Sequence, residues 1–155
     1  MQIMQEMTFA EFSRDANRIY KKNCAVYYKL ASHYGLTETM FDILYFVREN
    51  EDCGTQAQLC NNLYLRKQTV NSALKKLEKE GYIYLAKDGE NRKNKTIHFT
   101  EKGEELVRNT VDHVFEVEKK AFERLTAEER ERVLYYGLKQ IQVLEEVTNE
   151  FLQDK

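Results

Sequence analysis

Lys67-Gln68-Thr69-Val70-Asn71-Ser72-Ala73-Leu74-Lys75-Lys76-Leu77-Glu78-Lys79-Glu80 is the stretch on which the fold turns. Val70, Ala73, Leu74 and Leu77 recur at the spacing that puts them on one face of an α-helix. Gln68, Ser72, Lys75 and Lys79 fall on the opposite face, flanked by Thr69, Asn71 and Lys76. Such a helix buries its apolar stripe and turns a row of amides, hydroxyls and ammonium groups outward. The two acids, Glu78 and Glu80, come only at its C-terminal end, whereas the N-terminal end carries Arg66 and Lys67. Glutamine and asparagine match adenine in a bidentate manner, lysine reaches guanine or phosphate, and serine or threonine serves either.

Working outward, Gly81 closes this helix. Tyr82 to Ala86 and Lys95 to Phe99 read as two strands joined by the polar loop Lys87 to Asn94, a β-hairpin. On the other side, Thr55-Gln56-Ala57-Gln58 is a capping box that opens a short helix ending near Asn61 or Asn62. Leu63-Tyr64-Leu65 makes the turn into the long helix. A short helix, a turn, a longer helix and a hairpin is the order of a winged helix-turn-helix. The hairpin tip is basic, and Arg92 and Lys93 are its candidates for insertion into a narrow minor groove, where the potential is most negative.

The charge distribution agrees with that reading. Residues 61–103 hold ten Lys or Arg against five Asp or Glu, in a chain whose net charge is −2. A basic middle on an acidic body suits a protein that meets phosphate with one face. Other functions lack their chemistry here. No phosphate-binding loop, nucleophile elbow or zinc-protease motif is present, so the chain is not expected to be an enzyme. The three histidines and three cysteines lack ligand spacing, so neither a metal nor a cofactor is expected. The odd cysteine count implies a reducing compartment. No apolar run approaches the roughly 18 residues that cross a bilayer. No signal peptide is apparent, and a cytoplasmic location is expected.

Further helices flank this centre on both sides. Thr8-Phe9-Ala10-Glu11 is a capping box for a helix to about His33, with Gly35 at its end. Leu36-Thr37 begins the next, with Met40, Phe41, Leu44, Tyr45 and Val47 at helical spacing. Thr100 caps a long helix to about Leu125, and Thr126-Ala127-Glu128-Glu129 opens a last one ending near Gln153. Phe9, Phe12, Ala16, Ile19, Tyr20 and Asn23 stripe the first helix; Val133, Leu134, Leu138, Ile141, Leu144, Val147 and Phe151 stripe the last. Those stripes are too apolar for a monomer's surface; an intersubunit helical layer accounts for them, and packing against the winged lobe of the same chain is the alternative. Tyr20, Tyr27, Tyr28 and Tyr45 are candidates for the wall of a pocket for a small apolar ligand, although a plain aromatic core accounts for the same residues. Cys24 is a candidate redox switch, a role that needs both a lowered thiol pKa and exposure, and Cys60 is expected in the core.

The motifs Leu65-Arg66-Lys67-Gln68-Thr69-Val70, Leu77-Glu78-Lys79-Glu80-Gly81-Tyr82-Ile83, Asn91-Arg92-Lys93 and Phe99-Thr100-Glu101-Lys102-Gly103 together resemble the multiple-antibiotic-resistance regulator (MarR) family. So does Gly35-Leu36-Thr37 followed by Phe41-Asp42-Ile43-Leu44, and the match covers nearly the whole chain. The resemblance implies a mainly α (α+β) protein and a single domain over 1–155. A winged helix-turn-helix lobe would occupy 36–100, with dimerisation helices at 8–34 and 101–153. It implies a homodimeric transcriptional regulator, a repressor on a pseudo-palindromic operator in double-stranded DNA, with release by a small-molecule effector. The DNA-binding residues would be Arg66, Lys67, Gln68, Thr69, Asn71, Ser72, Lys75, Lys76, Arg92 and Lys93. Two features depart from the pattern. Arg66 stands where a serine N-cap is frequent, and Asn91-Arg92-Lys93 lacks the acid that orients the wing arginine. The segment around Cys24 does not resemble the peroxide-sensing branch. An architectural or protein-contact use of the winged helix is the alternative reading.

Overall fold

The computed structural model describes residues 6–50, 55–87 and 95–153. Among these, seven helices and one hairpin follow in the order α1 (Phe9–His33), α2 (Glu38–Glu49), α3 (Gln56–Leu63), α4 (Lys67–Lys79), β1 (Ile83–Lys87), β2 (Lys95–Phe99), α5 (Glu101–Arg108), α6 (Val111–Arg124) and α7 (Ala127–Gln153). The chain divides into two compact units, 1–114 and 115–155.

Local chemistry sets most boundaries. The capping boxes at Thr8 and Thr55 are both formed, with the N3 side chain returning to the cap in each. Thr37 accepts from the Met40 amide, and Thr126 forms the same reciprocal pair with Glu129. These bonds satisfy amides that have no partner within the helix. Helices α1 and α4 end in the same way. Gly35 and Gly81 sit at φ +70° and +78°, and the residue after each donates back to the helix, Leu36 to Ala31 and Tyr82 to Leu77. That is the Schellman closure, which needs a left-handed residue and so favours glycine. It also explains why β1 starts at Ile83 rather than Tyr82: the Tyr82 amide belongs to the helix end.

In the first unit, α2, α3 and α4 pack together, with α1 on α2 and α5 against α2 and β2. The fully enclosed side chains include Phe41, Ile43 and Leu44 of α2, Leu59 of α3, Val70 and Leu77 of α4, and Ile83 of β1. Burying each contributes about 1.5–3 kcal/mol relative to exposure. The hairpin is antiparallel, pairing Ile83 with Phe99 and Leu85 with Ile97, so Ile83 and Ile97 face the core. Thr55 adds a bridge to Thr96. The expected order, short helix, longer helix and hairpin, is therefore present, and the fold is a winged helix-turn-helix.

The long helix expected from Thr100 to Leu125 is two helices. Its apolar pattern continues through Leu106, Val107, Val111 and Val114, but the chain breaks at Asn109 and Thr110. There the Asn109 side-chain amide donates to the Glu105 carbonyl at 2.9 Å, and the Thr110 hydroxyl donates to the Leu106 carbonyl at 2.7 Å. Side chains of this type compete with the backbone ladder and bend it. The first piece, α5, packs with the winged lobe, and its Val107 is fully enclosed.

In the second unit, no residue of α7 is buried. Leu134, Leu138, Ile141, Leu144, Val147 and Phe151 are all exposed.

Candidate nucleic-acid interface

Helix α4 is held by its inner face and presents its outer one. Val70, Leu74 and Leu77 are buried, whereas Arg66, Lys67, Gln68, Thr69, Ser72, Lys75 and Lys76 are exposed and Asn71 is half-buried. The outward row is as the periodicity requires. Arg66 makes no side-chain bond to the helix start, so the amides of the first turn are left to a ligand or water. No acid lies in that turn. The positive end of the helix dipole and two cations therefore coincide, a suitable place for a phosphate oxygen. Toward the C-terminal end Lys76 approaches Glu80 at 4.0 Å, and both are exposed, so solvent screens the pair.

Helix α3 braces α4 through the Gln56 side-chain amide, which donates to the Lys67 carbonyl at 3.4 Å. Between them, Tyr64 takes the left-handed conformation at φ 52° and is 92 % exposed. The wing residues Arg92 and Lys93 lie in 88–94, outside the described residues.

Elsewhere in the first unit, Arg48 of α2 grips Asp112 of α6 with two bonds, Nε at 2.8 Å and Nη2 at 2.7 Å, and reaches Glu104 of α5 at 3.3 Å. Lys102 closes the end of α4: its Nζ donates to the Glu80 carbonyl at 2.7 Å and lies 4.5 Å over the Tyr82 ring. Sequence reading missed Tyr64, Arg48 and Lys102. The position of Tyr64 at the turn and the motif that contains Lys102 were legible in advance; what these side chains do was not.

The aromatic candidates separate. Tyr27 and Tyr28 line a cavity of about 200 Å³ between α1 and α2, with Asn23, Cys24, Ala31, Glu38, Phe41 and Asp42. Tyr20 and Tyr45 do not line it. Tyr20 is exposed further along α1, where a hydrogen bond with Cys24 pushes its hydroxyl up from the ordinary value. Tyr45 leans on Phe41 at 5.9 Å between ring centres. Burial, with the Glu38 charge second, raises the Asp42 carboxyl above the usual range. Cys24 is exposed, Cys60 is half-buried rather than in the core, and Cys53 lies outside the described residues.

The MarR family model matches residues 34–93, a stretch that begins at the end of α1 and contains α2, α3, α4 and β1. An uncharacterised HTH-type transcriptional regulator of Bacillus cereus is 30% identical over 102 residues, 66% of this chain and 67% of that one. The chain belongs to the MarR family. The HTH-type regulator YybA of Bacillus subtilis is 36% identical over 94 residues, 58% of this MarR-family chain and 61% of its own length. Among solved structures, a MarR family regulator from Neisseria meningitidis superimposes with a TM-score of 0.77 at 23% identity, covering 93% of this chain and 99% of that one. The MepR–DNA complex of Staphylococcus aureus gives 0.68 at 22% identity, covering 88% and 96%. The MarR-family chain is thus a transcriptional regulator and shares the winged-helix fold of these structures.

Proposed function

We propose that the protein is a homodimeric repressor that reads a pseudo-palindromic operator in double-stranded DNA with helix α4 and releases it on binding a small molecule. The observation that carries the reading is the outward face of α4. Gln68, Thr69, Ser72 and Lys75 are exposed on a helix whose other side is locked into the core. In this assignment Gln68 and Ser72 meet base edges. Arg66, Lys67 and Lys76 meet phosphates, and Thr69, Asn71 and Lys75 complete the footprint. Arg92 and Lys93 enter the adjacent minor groove. A related fold in MepR is known with DNA bound, which supports the docking mode.

Homodimerisation covers the apolar stripes of α1 and α7, within the segments 8–34 and 101–153 that flank the lobe at 36–100 in sequence. A monomer would leave Phe9 at 84 % and Leu138 at 71 % exposure in water. The effector sits in the cavity between α1 and α2, walled by Tyr27, Tyr28 and Phe41. The protein acts in the cytoplasm and performs no chemistry on its ligand. Among the described residues no helix is long and apolar enough to cross a membrane.

Selection of bound duplexes from a random pool tests the reading. The expected product is a pair of two-fold related half-sites about 10 base pairs apart, centre to centre. Recovery of unenriched DNA, coated without preference, contradicts it and favours an architectural role.

A further inference from the structure

Tyr64 is the one non-glycine residue at positive φ among the described residues. The left-handed conformation brings Cβ against the following carbonyl, and only glycine, or at times asparagine or aspartate, visits it routinely. A tyrosine here is therefore strained, and its large ring, 92 % exposed, gains no packing in return. Among the described residues its hydroxyl has no hydrogen-bond partner. Backbone strain of this kind concentrates at ligand-binding sites. The location names the ligand. Tyr64 terminates α3 and lies two and three residues before Arg66 and Lys67, the exposed cations at the positive end of α4.

The geometry points to Tyr64 as a DNA-backbone contact: its hydroxyl donates to a phosphate at the edge of the major groove, with the ring laid along the adjoining sugar. This rests on the assignment of α4 as the DNA-reading helix and adds to it an uncharged anchor at the turn. The anchor sets the depth at which α4 enters the groove, while the cations hold the same strand by charge. A phosphate carries no base identity, so the contact strengthens binding to all sequences alike. A hydroxyl releases no condensed cation, so the salt dependence is indifferent to it.

For Tyr64→Gly the inference requires stability and affinity to move in opposite directions, which a residue of purely structural role does not permit. Full-length parent, Tyr64→Gly and Tyr64→Phe are compared by thermal unfolding and by titration of a duplex recovered from the random pool and of an unrelated duplex. Tyr64→Gly relieves the strain and raises Tm by about 2 °C. It weakens both duplexes about tenfold, as expected for loss of a hydrogen bond to a charged group, and leaves the salt slope unchanged. Tyr64→Phe keeps the strain and the ring, so Tm holds while affinity falls by a similar factor. Variants that bind as the parent does, or a Tyr64→Gly protein that loses stability and affinity together, overturn the inference alone. A parent that binds no duplex overturns the assignment of α4 and this inference with it.

Discussion

The carbonyl oxygen of Tyr82 occupies the space where a side chain on Gly103 would begin: a Cβ there would lie 1.8 Å from it. Helix α5 starts against the end of α4 at this point. The Thr100 amide donates to the same carbonyl at 3.1 Å, and the Thr100 hydroxyl donates to the Gly81 carbonyl at 2.6 Å while accepting from the Gly103 amide at 3.0 Å. One threonine thereby caps α5 and fastens it to the end of α4. Gly103→Ala must push backbone away from backbone, with no flexible side chain to yield. The expected cost is about 3 kcal/mol, at the upper end for overpacking. Urea denaturation checks it; a loss below about 1 kcal/mol means that the helix start adjusts.

The Arg48–Asp112 pair is a better stabiliser than its surface counterparts. Both side chains are about one-third exposed, 32% and 31%, and the contact is bidentate; Arg132 and Glu128 on α7 are 68% and 70% exposed. Screening and side-chain entropy leave little net gain in the exposed pair. A double-mutant cycle on Arg48→Met and Asp112→Asn is expected to give a coupling of about 1.5 kcal/mol, against about 0.3 kcal/mol for Arg132 and Glu128. Equal couplings would show that burial and bidentate geometry add nothing here.

The raised carboxyl of Asp42 sets a pH dependence. A carboxyl whose folded-state pKa lies above its unfolded value contributes stability that is fully present below the unfolded value. That contribution is lost as pH rises through the folded one. Asp42→Asn stays neutral throughout, so it is expected to be more stable than the parent at pH 7. The difference should disappear below about pH 3.9, the ordinary aspartate value. Glu38→Gln removes the smaller, Coulombic cause and should shift stability in the same direction by less. Thermal melts at the two pH values decide; a difference independent of pH excludes the carboxyl as its source.

These residues also show what was legible in the sequence. The threonines at 8, 37, 55, 100 and 126 announce their helices because a cap is a local device, complete within four residues. Gly35 and Gly81 announce helix ends for the same reason. The phase of α4 follows from periodicity alone, so the outward placement of Gln68, Ser72 and Lys75 was readable. The break at Asn109 and Thr110 was not, because two side-chain bonds oppose an apolar pattern that continues across it. Arg48 and Asp112 are 64 residues apart, and nothing local joins them. Tyr20 and Tyr45 share aromatic character with Tyr27 and Tyr28, but composition does not say which rings meet. Tyr64 escaped notice because a left-handed turn ordinarily advertises itself by glycine or asparagine.

Dimerisation through the exposed stripe of α7 is tested by placing charge in it. Ile141→Glu with Leu144→Glu puts two like charges in the proposed interface, where each unpaired, desolvated charge is costly. Sedimentation should show a folded monomer in place of a dimer, with helical content retained because α7 buries none of its residues within the chain. A dimer of unchanged dissociation constant would place the interface elsewhere.

The central claim, that α4 reads bases with one set of residues and phosphates with another, is tested most directly by titrating Gln68→Ala, Ser72→Ala and Lys76→Ala proteins against a selected duplex and single-base variants of it over a range of salt. The first two variants should lose discrimination between bases, by about 1–3 kcal/mol where a bidentate contact is lost. The third should weaken every duplex alike and lower the salt slope by about one. Three variants that lose the same affinity on every duplex would contradict the account.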